Sequence, residues 1–261
     1  MRTMLWLLAI VSTAGAAAPT GIEDVLRRTG KSVETFWNRL GSVNCVETVK
    51  QTSVGKGGKV VYGKESTFDY LIVLQLSGTD LVVDESRVAV KPAVELKKPP
   101  ESNSPLLVTN GFATLQFVFH PFFQDSFEYS RPQPVQVGDS QLLTVAFRHI
   151  HGARSPSVLK LRSREYPLDW EGTAWIEPET GAIVRISAGL GSSMEDIGLR
   201  VLTADVRYDR MEFKETQGSQ LLPSTATVEA ETVRRHWRNI HTFSKYKLFS
   251  VDVKTATEAP R

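Results

Sequence analysis

The chain has 261 residues, 41% apolar and 23% charged, the composition of an ordinary globular protein long enough to bury a core of its own. Its 31 Lys and Arg against 29 Asp and Glu give a net charge of +2, which excludes a bulk electrostatic affinity for nucleic acid or membranes. A single cysteine, Cys45, excludes an internal disulfide, so the fold must rest on packing alone.

Arg2, the apolar run Met4 to Ser12 (MLWLLAIVS) and the small-x-small pattern Ala14-Gly15-Ala16 together spell a cleavable secretory signal peptide. The run is well short of the roughly 20 residues that span a bilayer, and none longer follows, so no transmembrane segment is expected. Pro19 disfavours cleavage after Ala18, which puts the cut near Ala16 and makes residues 1–16 the signal peptide. The mature protein is then periplasmic or secreted. No cysteine stands immediately after the apolar run, so no lipid anchor is expected.

From Thr20 the spacing becomes helical. Thr20 with Glu23 reads as a capping box, and Ile22, Val25, Leu26, Val33, Phe36, Trp37 and Leu40 share one face, which predicts an amphipathic helix over 22–40, weakened in its middle by Gly30 and ended by Gly41. The period then changes to two. Strands are predicted at 43–54, 60–76 and 81–90, joined by a Gly55–Gly58 hairpin tip and a Ser77–Asp80 turn. Lys97–Pro105 reads as a surface loop.

Asn110 could cap a short helix over 111–119 whose Phe112, Leu115 and Phe119, at i, i+3 and i+7, share one face. With Phe122, Phe123 and Phe127 close behind, this is the densest aromatic stretch of the chain. It reads as a helix plugged into the concave side of a curved sheet near Val206 and Val228, and as a removable cover hinged at Asn110-Gly111 and at Pro121. Further strands are predicted at 127–131, 142–149, 173–177, 182–188, 200–213, 222–235 and 241–253. The fourth of these turns into the third through Pro178-Glu179-Thr180-Gly181, and a second turn lies at Thr216–Ser219. Strands far outnumber helices, and the connections are hairpin-length, so the fold class is α+β, mainly antiparallel β. Leu202, Ala204, Val206 and Tyr208 alternate with Thr203, Asp205, Arg207 and Asp209. One face of the sheet is therefore apolar and needs a cover from the two helices. No repeat or shift of composition divides the chain, which predicts one domain over 20–253 and a flexible tail over 254–261.

The motifs of common hydrolases, metalloproteases and nucleotide-binding enzymes are missing. His149 and His151 have the spacing of a metal-ligand pair but no third ligand in sequence, so no metal and no other cofactor is expected. Cys45, within an alternating strand, reads as a buried inert thiol. Arg234, Arg235, Trp237 and Arg238 form a basic cluster at the turn before the last strand, a surface for an anionic headgroup or a protein partner rather than for nucleic acid.

The hairpin from Thr173 to Arg185 (TAWIEPETGAIVR), Leu222-Pro223-Ser224 at the start of a strand, and His241 to Tyr246 (HTFSKY) resemble secreted bacterial proteins of the lipoprotein-carrier and outer-membrane lipoprotein-sorting superfamily. That resemblance implies a half-open antiparallel barrel whose helices close an apolar concave side used to hold acyl chains. The present chain departs from the carriers in its length and in a proline-containing insertion around 91–108, and no functional residue of the family transfers to it. The expectation is a non-enzymatic periplasmic protein that binds a lipid or an acylated peptide at Phe112, Leu115, Phe119, Ile176, Leu202, Val206 and Val228. The alternatives are an envelope-assembly protein with a filled core, working through an envelope protein partner, and an exported hydrolase if two acidic residues and a histidine converge in one cleft.

Overall fold

The computed structural model describes residues 21–41, 43–77, 80–97, 106–161, 164–213 and 219–248. The signal peptide, the Thr20 cap, the tail over 254–261 and most of the loop over 97–105 lie outside them. So do the centres of the turns at 77–80 and 216–219. The first helix, α1 (Ile22–Leu40), has the expected bounds, with Gly21 in the N-cap position. Val25, Val33, Phe36 and Leu40 are buried along its predicted face. Glu23 and Asp24 sit in its first turn, where the helix dipole favours negative charge. Gly30 has a packing reason: a Cβ there would come within 2.8 Å of Gln124 Nε2 and 3.1 Å of the Pro121 ring.

The strands are β1 (Val43–Val54), β2 (Val60–Ser77), β3 (Asp80–Lys97), β4 (Phe127–Tyr129), β5 (Gln133–Val137), β6 (Ser140–His149), β7 (Val158–Leu161), β8 (Arg164–Pro167), β9 (Trp170–Ile176), β10 (Ile183–Leu190), β11 (Leu199–Glu212), β12 (Ser219–Thr232) and β13 (His236–Leu248). Eleven of them form one antiparallel sheet in the order β3-β2-β1-β13-β12-β11-β10-β9-β6-β4, with β5 also on β6, while β7 and β8 make a separate hairpin. The sheet does not close on itself, which gives a half-open barrel. Its order departs from a simple meander where β6 sits between β9 and β4, and above all where β1 pairs with β13 from Val43↔Leu248 to Val54↔His236, so that the first and last strands lie side by side.

Between β3 and β4 the chain crosses the concave face. Phe112–Phe119 form a 3-10 helix rather than the expected α-helix, entered through Gly111 at φ +77°. Pro121 starts a new turn instead of ending the old one, heading the short α2 (Pro121–Gln124) with its fixed φ at the first position. In a 3-10 helix residues three apart eclipse, so Phe119 does not share a face with Phe112 and Leu115. Phe112 meets Trp170 at a ring distance of 6.4 Å, whereas Phe119 packs against Tyr129 at 5.1 Å and Phe147 at 5.7 Å.

All seven residues from Ala113 to Phe119 are buried. The 3-10 helix packs on β10, β11 and β12 below and on α1 and α2 above. Phe36 of α1 stands edge-on to both Phe117 and Tyr208, which ties helix, segment and sheet together. The concavity thus has three layers, with the phenylalanine segment in the middle one. In this structure the segment from Ala113 to Phe119 is enclosed between α1 and the sheet, with Phe112 half-buried at its start.

The β9–β10 hairpin anchors α1 from the sheet side. Gly181 adopts φ +71°, and a Cβ there would lie 2.5 Å from the backbone carbonyl carbon of Arg28. Gly181→Ala is expected to cost about 2–4 kcal/mol, combining left-handed strain with a backbone clash. Urea denaturation of the variant beside the parent chain measures it, and a change below about 0.5 kcal/mol, the range of unconstrained surface sites, would contradict the docking described.

Candidate functional site

The residues expected to line a ligand site do come together, as packed core. Leu115, Phe119, Ile176, Leu202, Val206 and Val228 belong to one buried cluster, with Phe112 half-buried against it. Side chains of the protein itself occupy this space: Val118, Phe119, Ile176, Val206 and Val228 are all 0% exposed. Backbone carbonyls of the segment are held as well. Tyr208 donates to Ala113 O, Tyr129 to Val118 O and Gln124 to Phe119 O.

At its N-terminal end the segment is locked by a polar cluster that periodicity had not singled out. Glu47 occupies an inward position of β1, between Cys45 and Val49, and is 0% exposed. Its carboxylate accepts a forked pair of bonds from Arg87 of β3 and meets His241 Nδ1 of β13 at 2.7 Å. His241 Nε2 lies 2.7 Å from Thr109 Oγ1, and Arg87 also donates to Asn110 Oδ1 at 2.6 Å. The Gly111 N–H and the Tyr70 hydroxyl both donate to Glu85 at 2.8 Å, and Asn239 donates to Leu107 O and Thr109 Oγ1. Residues 107–111 are therefore hydrogen-bonded to β1, β3 and β13 together. Burial alone would raise the Glu47 pKa, but the bonds from His241 and Arg87 outweigh it and hold the carboxyl below its ordinary value. Burial beside Glu85 pushes the Tyr70 hydroxyl well above its ordinary value.

Glu47, Glu85 and His241 are two acids and a histidine in one place, and carboxylate, imidazole and hydroxyl stand in the order of a nucleophilic triad. The cluster ties this stretch into the fold: Thr109 is 7% exposed, its oxygen receives Asn239, and the adjacent Gly111 N–H is bonded to Glu85.

His149 and His151 do not form a metal pair. Both rings bond to Asp169, at 2.9 and 2.6 Å, with the His149 side chain 1% and that of His151 94% exposed. Among the described residues no group of three potential ligands could hold a metal ion. Cys45 is buried, and burial pushes its thiol up to about 12.

The basic cluster divides in two. Arg234 and Arg235 form an exposed turn whose N–H groups bond to Thr232 Oγ1. Because β13 begins at His236, earlier than its spacing suggested, Trp237 and Arg238 are strand residues on opposite faces. Trp237 packs against the core, and Arg238 is paired with Glu229 at 2.7 Å.

The described surface carries clefts near both ends of the core. An open one of about 590 Å³ runs along β4, β6 and β9, and the exposed Arg148–Glu128 ion pair stands on its wall. The second, of about 250 Å³, lies between α1 and the ends of β10–β12. Its floor is Phe36, Ile183 and Leu222, all members of the buried core, and Arg39, Arg210 and Glu177 stand among its polar walls. Arg210 is gripped by both carboxylate oxygens of Glu177, at 2.5 and 2.6 Å.

No family model and no curated protein matches this sequence. Among solved structures the chain is similar to a DUF1329 family protein from Desulfovibrio piger, at 10% identity over 92% of this chain and 96% of that one, with a TM-score of 0.43. It is also similar to an outer membrane lipoprotein-sorting protein domain from Vibrio parahaemolyticus, at 8% identity over 84% and 93% of the two chains, with a TM-score of 0.34.

Two outcomes are expected from this geometry. Phe119→Asp buries an unpaired charge and should abolish the cooperative thermal transition; a nearly unchanged melting temperature would mean that the segment does open. Glu47→Gln should cost about 3–5 kcal/mol at neutral pH by stripping a buried pair of one partner. A carboxyl depressed in the folded state stabilises above its unfolded pKa of about 4.3, and the effect fades as pH falls through the folded value. The gap between variant and parent should therefore narrow below about pH 4, as urea midpoints across pH 3–7 measure.

Proposed function

We propose that this chain is a non-enzymatic protein of the cell envelope that holds the acyl chain of a lipid or an acylated peptide in the cleft between α1 and β10–β12. The signal-peptide pattern at its start supports the location, and among the described residues no helix is long and apolar enough to cross a membrane. One observation carries the ligand: the floor of this cleft is continuous with the apolar core, and its walls are polar, the division that an amphiphile needs. At about 250 Å³ the cleft sits just under the range of about 300–1,000 Å³ typical of small-molecule pockets, so it suits part of a chain rather than a whole lipid.

A second reading, an envelope-assembly protein with a filled core, is favoured by the burial of all seven residues from Ala113 to Phe119. Its partner surface is the exposed Arg234-Arg235 turn.

Delipidated protein titrated with a fluorescent fatty acid and weighed by native mass spectrometry separates the two. One-to-one uptake is expected, weakened about tenfold, or about 1.4 kcal/mol, in Thr35→Trp, which plugs the mouth from an exposed position on α1. Absence of uptake by both methods would overturn the ligand reading and leave the assembly protein.

A further inference from the structure

We infer that one end of the sheet docks onto an anionic phospholipid surface through the tips of the β1–β2 and β12–β13 hairpins; this does not depend on the cleft being a ligand site. The register places the two tips side by side. Val54, the last residue of β1, pairs with Val60 on one flank and with His236 on the other, and His236 pairs in turn with Glu231. Residues 55–59 and 233–235 therefore lie at the same end of the sheet, on neighbouring strands. The near-neutral total charge of the chain hides what they carry: Lys56, Lys59, Arg234 and Arg235, all exposed, with no acid within either tip. Lys97, at the end of β3, joins them by donating to Val60 O at 3.1 Å. The space around the first tip is open, since a Cβ at Gly57 or Gly58 would meet nothing within 4 Å.

Many arginines elsewhere on the sheet are matched by acids. Arg148 meets Glu128, Arg185 meets Asp205, Arg210 meets Glu177 and Arg238 meets Glu229. Among the described residues none of the four tip cations forms an ion pair. The nearest exposed acids in sequence and register, Glu231 on β12 and Glu195 and Asp196 ahead of β11, lie outside the tips. Charge alone would suit any polyanion, and the apolar residues narrow the choice. Val233 is 73% and Val60 39% exposed, each adjacent in sequence to a tip cation. One step behind, Ser53 pairs with Trp237 on one side and Tyr62 on the other, which sets two half-buried aromatic side chains in one row across the seam. Aliphatic tips are stabilised by entering the acyl boundary, cations at the same level meet the phosphates, and amphipathic rings favour the headgroup layer. A soluble polyanion has no apolar phase to receive the valines.

Vesicle flotation of the chain, purified after export and removal of its signal peptide, tests this with phosphatidylcholine alone and with phosphatidylcholine and phosphatidylglycerol at about three to one. Binding to the anionic vesicles is expected to be at least about thirtyfold tighter than to the neutral ones, and to disappear at high ionic strength, where the charges are screened. Arg234→Ser combined with Arg235→Ser should weaken it about tenfold or more, and Lys56→Ser combined with Lys59→Ser likewise. Val233→Ser, which leaves the charges and the turn bonds to Thr232 Oγ1 in place, should weaken it about threefold. All these positions are exposed, and circular dichroism checks that each variant keeps the fold. Equal binding to the two kinds of vesicle, or none to either, overturns the inference. So does anionic-vesicle binding undiminished in both double variants, which puts the contact on another face. Full binding by Val233→Ser, with inorganic polyphosphate displacing the parent from the vesicles, makes the tips a polyanion site and overturns the membrane. Thr35→Trp is expected to bind vesicles as the parent does; loss of binding there would put adsorption in the cleft and overturn docking by the tips.

Discussion

The carboxylate of Glu47 is the point to which the rest of the structure is tied. It sits beside the seam where β1 meets β13, and it engages Arg87 from the edge strand and His241 from the last strand at once. Those two residues in turn fix Thr109 and Asn110, and so the angle at which the chain dives into the concavity. A charge with no exposure is tolerable only because both its oxygens are engaged by strong donors, and that requirement forces three strands and one loop into register together.

The depth of the 3-10 helix follows from that entry. A chain delivered into the middle of a concave sheet and roofed by α1 can expose no side chain, which is why its composition is almost wholly apolar. Thr114 and Gln116 are the exceptions in the run Phe112 to Phe119. A 3-10 path keeps the segment narrow enough to lie between two layers, and tyrosine hydroxyls from β11 and β4 take up carbonyls that its own ladder leaves free.

Much of the fold was legible in the sequence. α1 has the bounds its apolar spacing gave, and the β9–β10 hairpin turns where Pro178 and Gly181 place it. What escaped did so for identifiable reasons. β5 hides in a proline-rich stretch because it pairs on one side only, with β6, where Pro134 costs little. β7 and β8 are four residues each, too short for a period to register. The phenylalanine segment reads as an α-helix because Phe112, Leu115 and Phe119 fit a 3.6-residue period, which over eight residues hardly differs from the three-residue period the segment adopts. The polar cluster was visible only as residues out of phase with their strands, since Glu47 and His241 lie 194 positions apart and no local spacing joins them.

The pairing of β1 with β13 also sets an order of events. Contacts between the two ends of a chain are the last a ribosome or an export channel can supply, and a sheet that depends on them has high contact order and folds slowly. Before the final strand emerges, β1 presents an unpaired edge, and Glu47 has no imidazole to meet. Until that strand pairs, the sheet keeps an open edge at its middle, and the interval before the seam forms is the stage most exposed to aggregation.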